Sequence, residues 1–291
     1  MNKGIVLAAE SPIRGRRFGF AGGSLVAFVV LAIASWGFIL LVDGGDLLGL
    51  FSGETWNRAT DFIGQLAGRG SRSEPAFLQP GEWARTGRLA YETLAMSVLA
   101  IVFAGIGALL TFLPAARNLA TGELAPSRSP VWRSLFFVVR GAYMFLRGIP
   151  ELIWAMIILF FLSPGILPGA LALGLHNLGI LGKLSAEVVE DMDPRPARAL
   201  RVAGAGSFQM LAYGIMPQVL PKFLTYLLYR WEMVIRTTIV VGFVGAGGLG
   251  REFRLAMSWF HYTDVALLLM WYLLLVVAVD MLCAYLRRIS R

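Results

Sequence analysis

Long apolar runs separated by polar segments dominate the sequence. The first run, residues 18–42, contains no ionisable side chain. Because an α-helix crosses the hydrocarbon core of a bilayer with about 20 apolar residues, this run predicts a membrane-spanning helix. Further runs follow at residues 93–113, 135–162, 166–182, 219–244 and 265–286. The pattern predicts an all-α polytopic membrane protein with about six transmembrane helices.

The first run has a second interpretation, because Arg14, Arg16 and Arg17 precede it. A positively charged segment before an apolar stretch is also typical of a cleavable signal peptide, whose apolar core is about 7–15 residues long. The run exceeds that length, and no A-x-A-like cleavage site closes it. We therefore favour an uncleaved membrane span.

Lysines and arginines are distributed unevenly between the segments that join the apolar runs. Most of the 26 fall before the first run, around the start of the third, between the fourth and fifth, or after the sixth. Cytoplasmic segments of membrane proteins carry the excess of these residues, so both termini are predicted to be cytoplasmic.

Composition excludes most classes of soluble protein. Hydrophobic residues make up 57% of the chain and charged residues 15%, against about 45–50% and about 25% in a typical soluble domain. The net charge of +8 suits either anionic lipid or nucleic acid. Since the basic residues flank membrane spans and form no basic domain, we predict a lipid bilayer as the partner and no nucleic acid. The single cysteine, Cys283, excludes an intramolecular disulfide and a multi-cysteine metal site.

Three charged residues, Arg230, Glu232 and Arg236, fall in the middle of the fifth run. A charge at the centre of a membrane helix costs at least about 2.5–3.5 kcal/mol on insertion scales, so these side chains should face protein or water. Glu232 and Arg236 are four residues apart and are expected to pair along one helix face. Alternatively, the arginines stabilise an anion in a pathway. His176 and Asn177, in the fourth run, leave packing and pathway roles equally open.

No catalytic or metal-binding constellation is visible in the sequence. His176 and His261 are far apart in the predicted topology and have no nearby cysteine or regular carboxylate partner. We therefore predict a chain that is not an enzyme and that holds no metal or cofactor of its own.

Two segments predict breaks in the helices. Gly148 and Pro150 interrupt the third run and are expected to give it a hinge. Residues 245–250 form a literal G-x-G-x-x-G, which invites a dinucleotide-binding interpretation. That fingerprint needs a βαβ unit, whereas both flanks here are membrane spans. We favour an irregular helix end, where glycines permit close approach of helices or a loop that dips into the membrane.

The two longest connections between the apolar runs also contain apolar residues at helical spacing. In the outer segment 43–88, Trp56, Phe62, Ile63 and Leu66 have the spacing of a short amphipathic helix, the alternative being a solvated linker. In the stretch 183–221, apolar residues can form the faces of short helices that would dock a partner protein. A surface loop without a partner is the alternative there.

The stretch 183–221 is also where the chain becomes similar to a known family. Ala199-Leu200, Gly204-Ala205-Gly206 and Gly214-Ile215-Met216-Pro217 resemble the EAA loop of ABC importer permeases. Five stretches in one order look like the phosphonate importer permease family, and the resemblance covers roughly residues 90–290. They are RGIPELIWA (147–155), LGKLSAE (181–187), MPQVLP (216–221), YRWE (229–232) and VGAGGLG (244–250).

One departure concerns the EAA signature itself. Arg198 replaces the acidic residue that opens the signature, and Leu200 stands at the second alanine. Glu190, Asp191 and Asp193 lie just upstream, and we hypothesise that they supply the missing negative charge.

The resemblance implies a type I ABC importer permease fold in the cytoplasmic (inner) membrane. It implies a homodimer that works with two cytoplasmic ATPase subunits, which bind ATP and Mg, and with an outer substrate-binding protein. The implied cargo is phosphonate or a related phosphorus oxyanion, such as phosphite or phosphate, moved inward by alternating access. The alternatives are a permease for another small solute and a structural membrane subunit that transports nothing.

The resemblance also implies a permease core at residues 89–291 that follows an N-terminal part, 1–88, and contains a coupling loop at about 187–217. The coupling role below is expected from the resemblance, and the pathway, gate and hinge roles from the residues themselves. Residues assigned to ATPase coupling are Arg198, Ala199, Gly204, Ala205, Gly206 and Pro217. Residues assigned to the substrate pathway are Arg230, Glu232, Arg236, His176 and Asn177. Residues assigned to a gate or hinge are Gly148, Pro150, Gly245, Gly247, Gly248 and Gly250.

Overall fold

The computed structural model describes residues 20–42, 49–70, 74–120 and 130–289, and within these ranges it is helical without a β-strand. Phe18, with which the first predicted span begins, lies outside the described residues, as do Arg14, Arg16 and Arg17. The helices are α1 (Phe20–Leu41), α2 (Gly53–Leu66), α3 (Pro80–Thr111), α4 (Arg117–Ala120), α5 (Pro130–Gly148), α6 (Glu151–Leu159), α7 (Ile166–Glu190), α8 (Arg195–Val202), α9 (Ser207–Gln209), α10 (Met216–Val241), α11 (Gly248–Ser258) and α12 (Tyr262–Ile289). Two π-helical segments, Met210–Ile215 and Gly242–Ala246, flank α10.

The spans predicted from hydropathy correspond to helices. Among the described residues, α1, α3, α7 and α12 are each long and apolar enough to cross a membrane. Two bent pairs raise the number to six if each counts as one span: α5 with α6, bent by 90°, and the Ser207–Ala246 stretch with α11, bent by 63°. The break predicted at Gly148 and Pro150 is the first of these bends.

The chain divides into two compact units, one up to Ile63 and one from Gly64. In the first unit, no described side chain of α1 is buried. The amphipathic helix predicted in the outer segment forms as α2, and none of its residues is buried. The boundary expected near residue 88 falls inside the continuous helix α3.

Helix α7 lies at the centre of the second unit and packs against α3, α5, α6 and α10. Small residues allow this: a Cβ on Gly174 would lie 2.6 Å from the Phe103 ring of α3, and one on Gly179 would lie 2.8 Å from the Tyr143 carbonyl oxygen of α5. In membranes, where water does not drive helices together, close backbone approach of this kind supplies much of the packing energy. The predicted end of this span at Gly182 is too early, because the helix continues to Glu190.

Candidate functional site

At the bend between α5 and α6, side chains bind backbone carbonyl oxygens that have no partner within the helix. Pro150 cannot donate a backbone hydrogen bond, so the helix ends before it. The Trp154 indole N–H donates to the Leu146 carbonyl oxygen at 3.0 Å, and His176 Nδ1 of α7 lies 2.9 Å from the Ile149 carbonyl oxygen. Because a carbonyl oxygen only accepts, Nδ1 of His176 carries the proton. His176 therefore has a structural contact at the bend, one of the two roles that the sequence left open.

Helix α10 brings a cation to the same place. Arg230 Nε donates to Asn177 Oδ1 at 2.8 Å, and the Asn177 amide is oriented by its own donation to the Leu173 carbonyl oxygen at 2.7 Å. Asn177 is 2% exposed. His176 Nε2 lies 3.4 Å from Glu151 Oε2, in the first turn of α6. Glu151, His176, Asn177 and Arg230 thus form one group of polar residues, which we call the polar cluster.

Arg230 differs from the other cations near it in how its charge is balanced. Its side chain is half-buried, yet within the described residues no carboxylate lies within ion-pair distance. Of its guanidinium nitrogens, only Nε has a hydrogen-bond partner in that part of the chain. The two terminal nitrogens, with four N–H groups, are thus available for an anion, for which a guanidinium fork is well shaped.

Glu232 and Arg236 of α10 face α12 instead. Arg236 Nη2 lies 2.5 Å from Asp280 Oδ2, and Glu232 Oε1 lies 2.6 Å from Arg287 Nη1. The predicted pairing of Glu232 with Arg236 is therefore wrong: each has a closer partner on the neighbouring helix. Of the five residues assigned to the pathway, the structure brings together Arg230, His176 and Asn177, and it places Glu232 and Arg236 elsewhere.

Two carboxylates of these contacts were not singled out in the sequence. Glu151 follows the Gly148–Pro150 break, where an acid is favoured by the positive end of the α6 dipole. Asp280 interrupts the apolar run of α12, and a carboxylate inside such a run is a signal that the sequence offers.

The glycine-rich segment forms a sharp turn from α10 into α11. Gly245, Gly247 and Gly248 all have positive φ, at 112°, 87° and 63°, which explains the need for glycine. The Leu249 N–H, in the first turn of α11, donates to Thr93 Oγ1 of α3 at 2.9 Å. On its other side, Gly247 lies against Gly165, in the turn that precedes α7. The expected irregular helix end with close helix approach is thus observed.

Residues assigned to ATPase coupling lie in and after α8. Gly204 has φ +85° and ends α8 in a left-handed turn, in which the Ala205 N–H donates to the Leu200 carbonyl oxygen at 3.0 Å. The segment is then exposed, with Val202 at 90% and Phe208 at 78%. Pro217 lies in the first turn of α10, where a missing N–H costs nothing. The exposed surface here combines the apolar Val202 and Phe208 with Arg198 and Arg201 of α8.

Glu190 is not available as a substitute for the missing acid of the EAA signature. Its Oε1 accepts from Arg140 Nη2 at 2.5 Å and from the Arg117 backbone N–H at 2.6 Å. The carboxylate therefore joins the end of α7 to the start of α4 and to the middle of α5. Asp193 accepts from the Arg195 backbone N–H at 3.0 Å, at the start of α8.

Comparison with known proteins gives one consistent answer. Residues 131–289 match the family model of the binding-protein-dependent transport system inner membrane component. The phosphite transport system permease protein PtxC of Stutzerimonas stutzeri is 36% identical over 283 residues, which cover 96% of this chain and 94% of that protein. The phosphate-import permease protein PhnE of Mycolicibacterium smegmatis is 33% identical over 237 residues, 79% of this chain and 43% of the relative.

A solved structure shares the fold. The MetNI methionine ABC transporter, in inward-facing conformations, aligns with a TM-score of 0.58 at 19% identity, over 73% of this chain and 99% of that one. At this identity the likeness concerns the fold, which is that of a type I ABC importer permease. Together with the family match and the apolar helices, it makes the chain a multi-pass protein of the cytoplasmic membrane. The chain belongs to the family of binding-protein-dependent transport system inner membrane components, as a permease subunit of an ABC importer.

Proposed function

We propose that this permease moves phosphonate or a related phosphorus oxyanion, such as phosphite or phosphate, into the cytoplasm by alternating access. The relatives PtxC and PhnE support this cargo class, because PtxC is named for phosphite transport and PhnE for phosphate import. The observation that carries the proposal in this chain is Arg230, a half-buried guanidinium with no carboxylate within ion-pair distance among the described residues. An anion that passes α10 would bind its two terminal nitrogens.

The working assembly is a homodimer with two cytoplasmic ATPase subunits and an outer substrate-binding protein. ATP and Mg belong to the ATPases, and this chain itself is not catalytic. Exposed Val202 and Phe208, beside Arg198 and Ala199, fit a surface that docks in the ATPase and transmits its motion to α10 through the π-helical segment. The turn at Gly245–Gly250 and the bend at Gly148–Pro150 are the places where the helices would move.

Uptake by proteoliposomes tests the cargo. The permease, its ATPase and its binding protein are reconstituted together, and uptake of radiolabelled phosphite, phosphate and methylphosphonate is measured against sulfate. We expect ATP-dependent accumulation of at least one of the phosphorus oxyanions and none of sulfate. Accumulation of none of the three would refute the proposed cargo class, and failure of the ATPase to copurify would refute the importer assembly.

The role of Arg230 is tested by Arg230→Gln, which removes the charge but keeps an N–H that can bind Asn177. Hydrogen bonds to a charged group contribute about 1.5–3 kcal/mol, so uptake should fall by about tenfold or more. Lys222→Gln is the matched control, because it removes one positive charge from an exposed position on the same helix. Equal uptake by both variants would contradict the pathway role of Arg230.

A further inference from the structure

Helix α10 is tied to α12 by two ion pairs on the side away from Arg230. Glu232 pairs with Arg287 at 2.6 Å, and Arg236 pairs with Asp280 at 2.5 Å. The Arg287 guanidinium also lies over the Tyr229 ring, 4.9 Å from its centroid. The Glu232 and Arg287 side chains are only 14% and 19% exposed. The Arg236 and Asp280 side chains are more exposed, at 40% and 37%. Both contacts join the same two helices.

The helical repeat links these pairs to the direction of Arg230. Glu232 and Arg236 are four residues apart and share one face of α10, while Asp280 and Arg287 are seven apart and share one face of α12. Arg230 precedes Glu232 by two residues and so points about 200° around the helix from it. With both ion pairs formed, Arg230 faces away from α12, toward Asn177 of α7.

Rotation of α10 is opposed by its buried packing against α3 and α7 and by the two ion pairs to α12. A turn of one residue position, about 100°, would break both ion pairs and separate Arg236 from Asp280 within the spans, which is unfavourable. On the α7 side, the polar restraint on Arg230 is one hydrogen bond, from its Nε to Asn177. On the α3 side, the Trp231 indole N–H donates to Ser97 Oγ at 3.1 Å. The two ion pairs are the charged contacts that fix the rotation of α10 against α12.

We propose that Glu232, Arg236, Asp280 and Arg287 are positioning residues, which set the rotation of α10 and so hold Arg230 toward the pathway. This proposal rests on the proposed function only for the role of Arg230 in binding the anion in the pathway. The four residues contact no cargo. They fix the rotation of α10 against α12 and so act on the cargo only through the direction of Arg230.

The only cysteine of the chain provides a probe of this register. Cys283 is fully buried and lies between Asp280 and Arg287 on the face of α12 that meets α10. A thiol reagent can reach it only if the two helices separate or rotate. The rate of Cys283 modification by a small maleimide therefore reports the α10–α12 interface without requiring cargo.

The test compares Arg236→Gln, Asp280→Asn, the neutral double variant Arg236→Gln/Asp280→Asn, and the charge exchange Arg236→Asp/Asp280→Arg in the reconstituted importer. The single variants and the neutral double variant should raise the rate of Cys283 modification about tenfold and lower the maximal uptake rate similarly. The concentration of loaded binding protein at half-maximal uptake should stay unchanged, since these residues are distant from the exposed connections. The charge exchange should restore both rates toward the parental values. The neutral double variant keeps the net charge, so it provides a result even if a single variant fails to assemble.

Combination with Arg230→Gln separates this proposal from the proposed function. If the positioning residues act through Arg230, adding Arg236→Gln to Arg230→Gln should raise Cys283 modification but lower uptake no further. Parental uptake by Arg230→Gln alone would refute the pathway role and leave the labelling result standing. Parental Cys283 modification in the neutral double variant would refute the positioning proposal, whatever the result for Arg230.

Discussion

Replacement of Gly250 by alanine tests how closely the end of α10 approaches the start of α11. A Cβ at this position would lie 2.2 Å from the Ile239 carbonyl oxygen and 2.9 Å from the Gly242 Cα. Both are backbone atoms, so no side chain can rotate away, and α11 must move by roughly 1 Å to restore ordinary van der Waals contact. The same movement would disturb the hydrogen bond from the Leu249 N–H to Thr93.

The magnitude follows from these two effects. Overpacking of a close interface costs about 1–3 kcal/mol, and the weakened hydrogen bond adds about 0.5–1.5 kcal/mol. We therefore expect Gly250→Ala to destabilise the protein by about 2–4 kcal/mol. For a chain of this size, each kcal/mol lowers the midpoint of thermal unfolding by about 2–4 °C, which gives a decrease of roughly 5–15 °C.

Tryptophan fluorescence of the purified protein in detergent, heated at one fixed rate, measures this midpoint. A fixed rate is needed because membrane proteins often unfold irreversibly. Gly141→Ala is the matched control: it lies inside α5, where an added Cβ meets no atom within 4 Å and alanine favours the helix by up to about 1 kcal/mol. Its midpoint should be unchanged or raised. If Gly250→Ala unfolds at the same temperature as Gly141→Ala, the close approach of α10 and α11 is not what requires glycine.

Two further predictions concern the region between α7 and α10. Glu190→Gln weakens the contacts to Arg140 and to the Arg117 backbone and should destabilise the protein by about 1–3 kcal/mol, whereas Asp193→Asn, at a largely exposed carboxylate, should change the unfolding midpoint little. Arg198→Glu restores the acidic residue of the EAA signature on the exposed face of α8 and should change ATP hydrolysis stimulated by loaded binding protein several-fold, while unchanged coupled hydrolysis would exclude Arg198 from the ATPase contact.

Hydropathy and glycine chemistry predicted much of this fold. The apolar runs gave the long helices, because a helix in lipid must satisfy its own backbone hydrogen bonds whatever its neighbours are. The bend at Gly148 and Pro150 followed from the same local rule, since proline lacks an N–H. The end of α7 could not be predicted in this way. The charges of Lys183 and Glu187 indicated a polar connection after the span, yet the two side chains pair on the helix surface at 3.2 Å and the helix continues past them.

Partners of the intramembrane charges were harder to predict than their positions. The sequence identified Arg230, Glu232 and Arg236 as residues that need contacts with protein or water. The sequence predicted that Glu232 pairs with Arg236 along α10, but the structure pairs them with Arg287 and Asp280 of α12. Which helix lies beside which is decided by packing of the whole unit, and no local pattern in α10 contains that information.

The two ion pairs also bear on how the protein is made. Helix α10 carries Arg230, Glu232 and Arg236, yet its partners Asp280 and Arg287 are synthesised 44 and 55 residues after the residues they bind. Until α12 enters the bilayer, Glu232 and Arg236 lack these counter-charges. We therefore expect stable integration of α10 to require α12, so that a later helix completes the insertion of an earlier one.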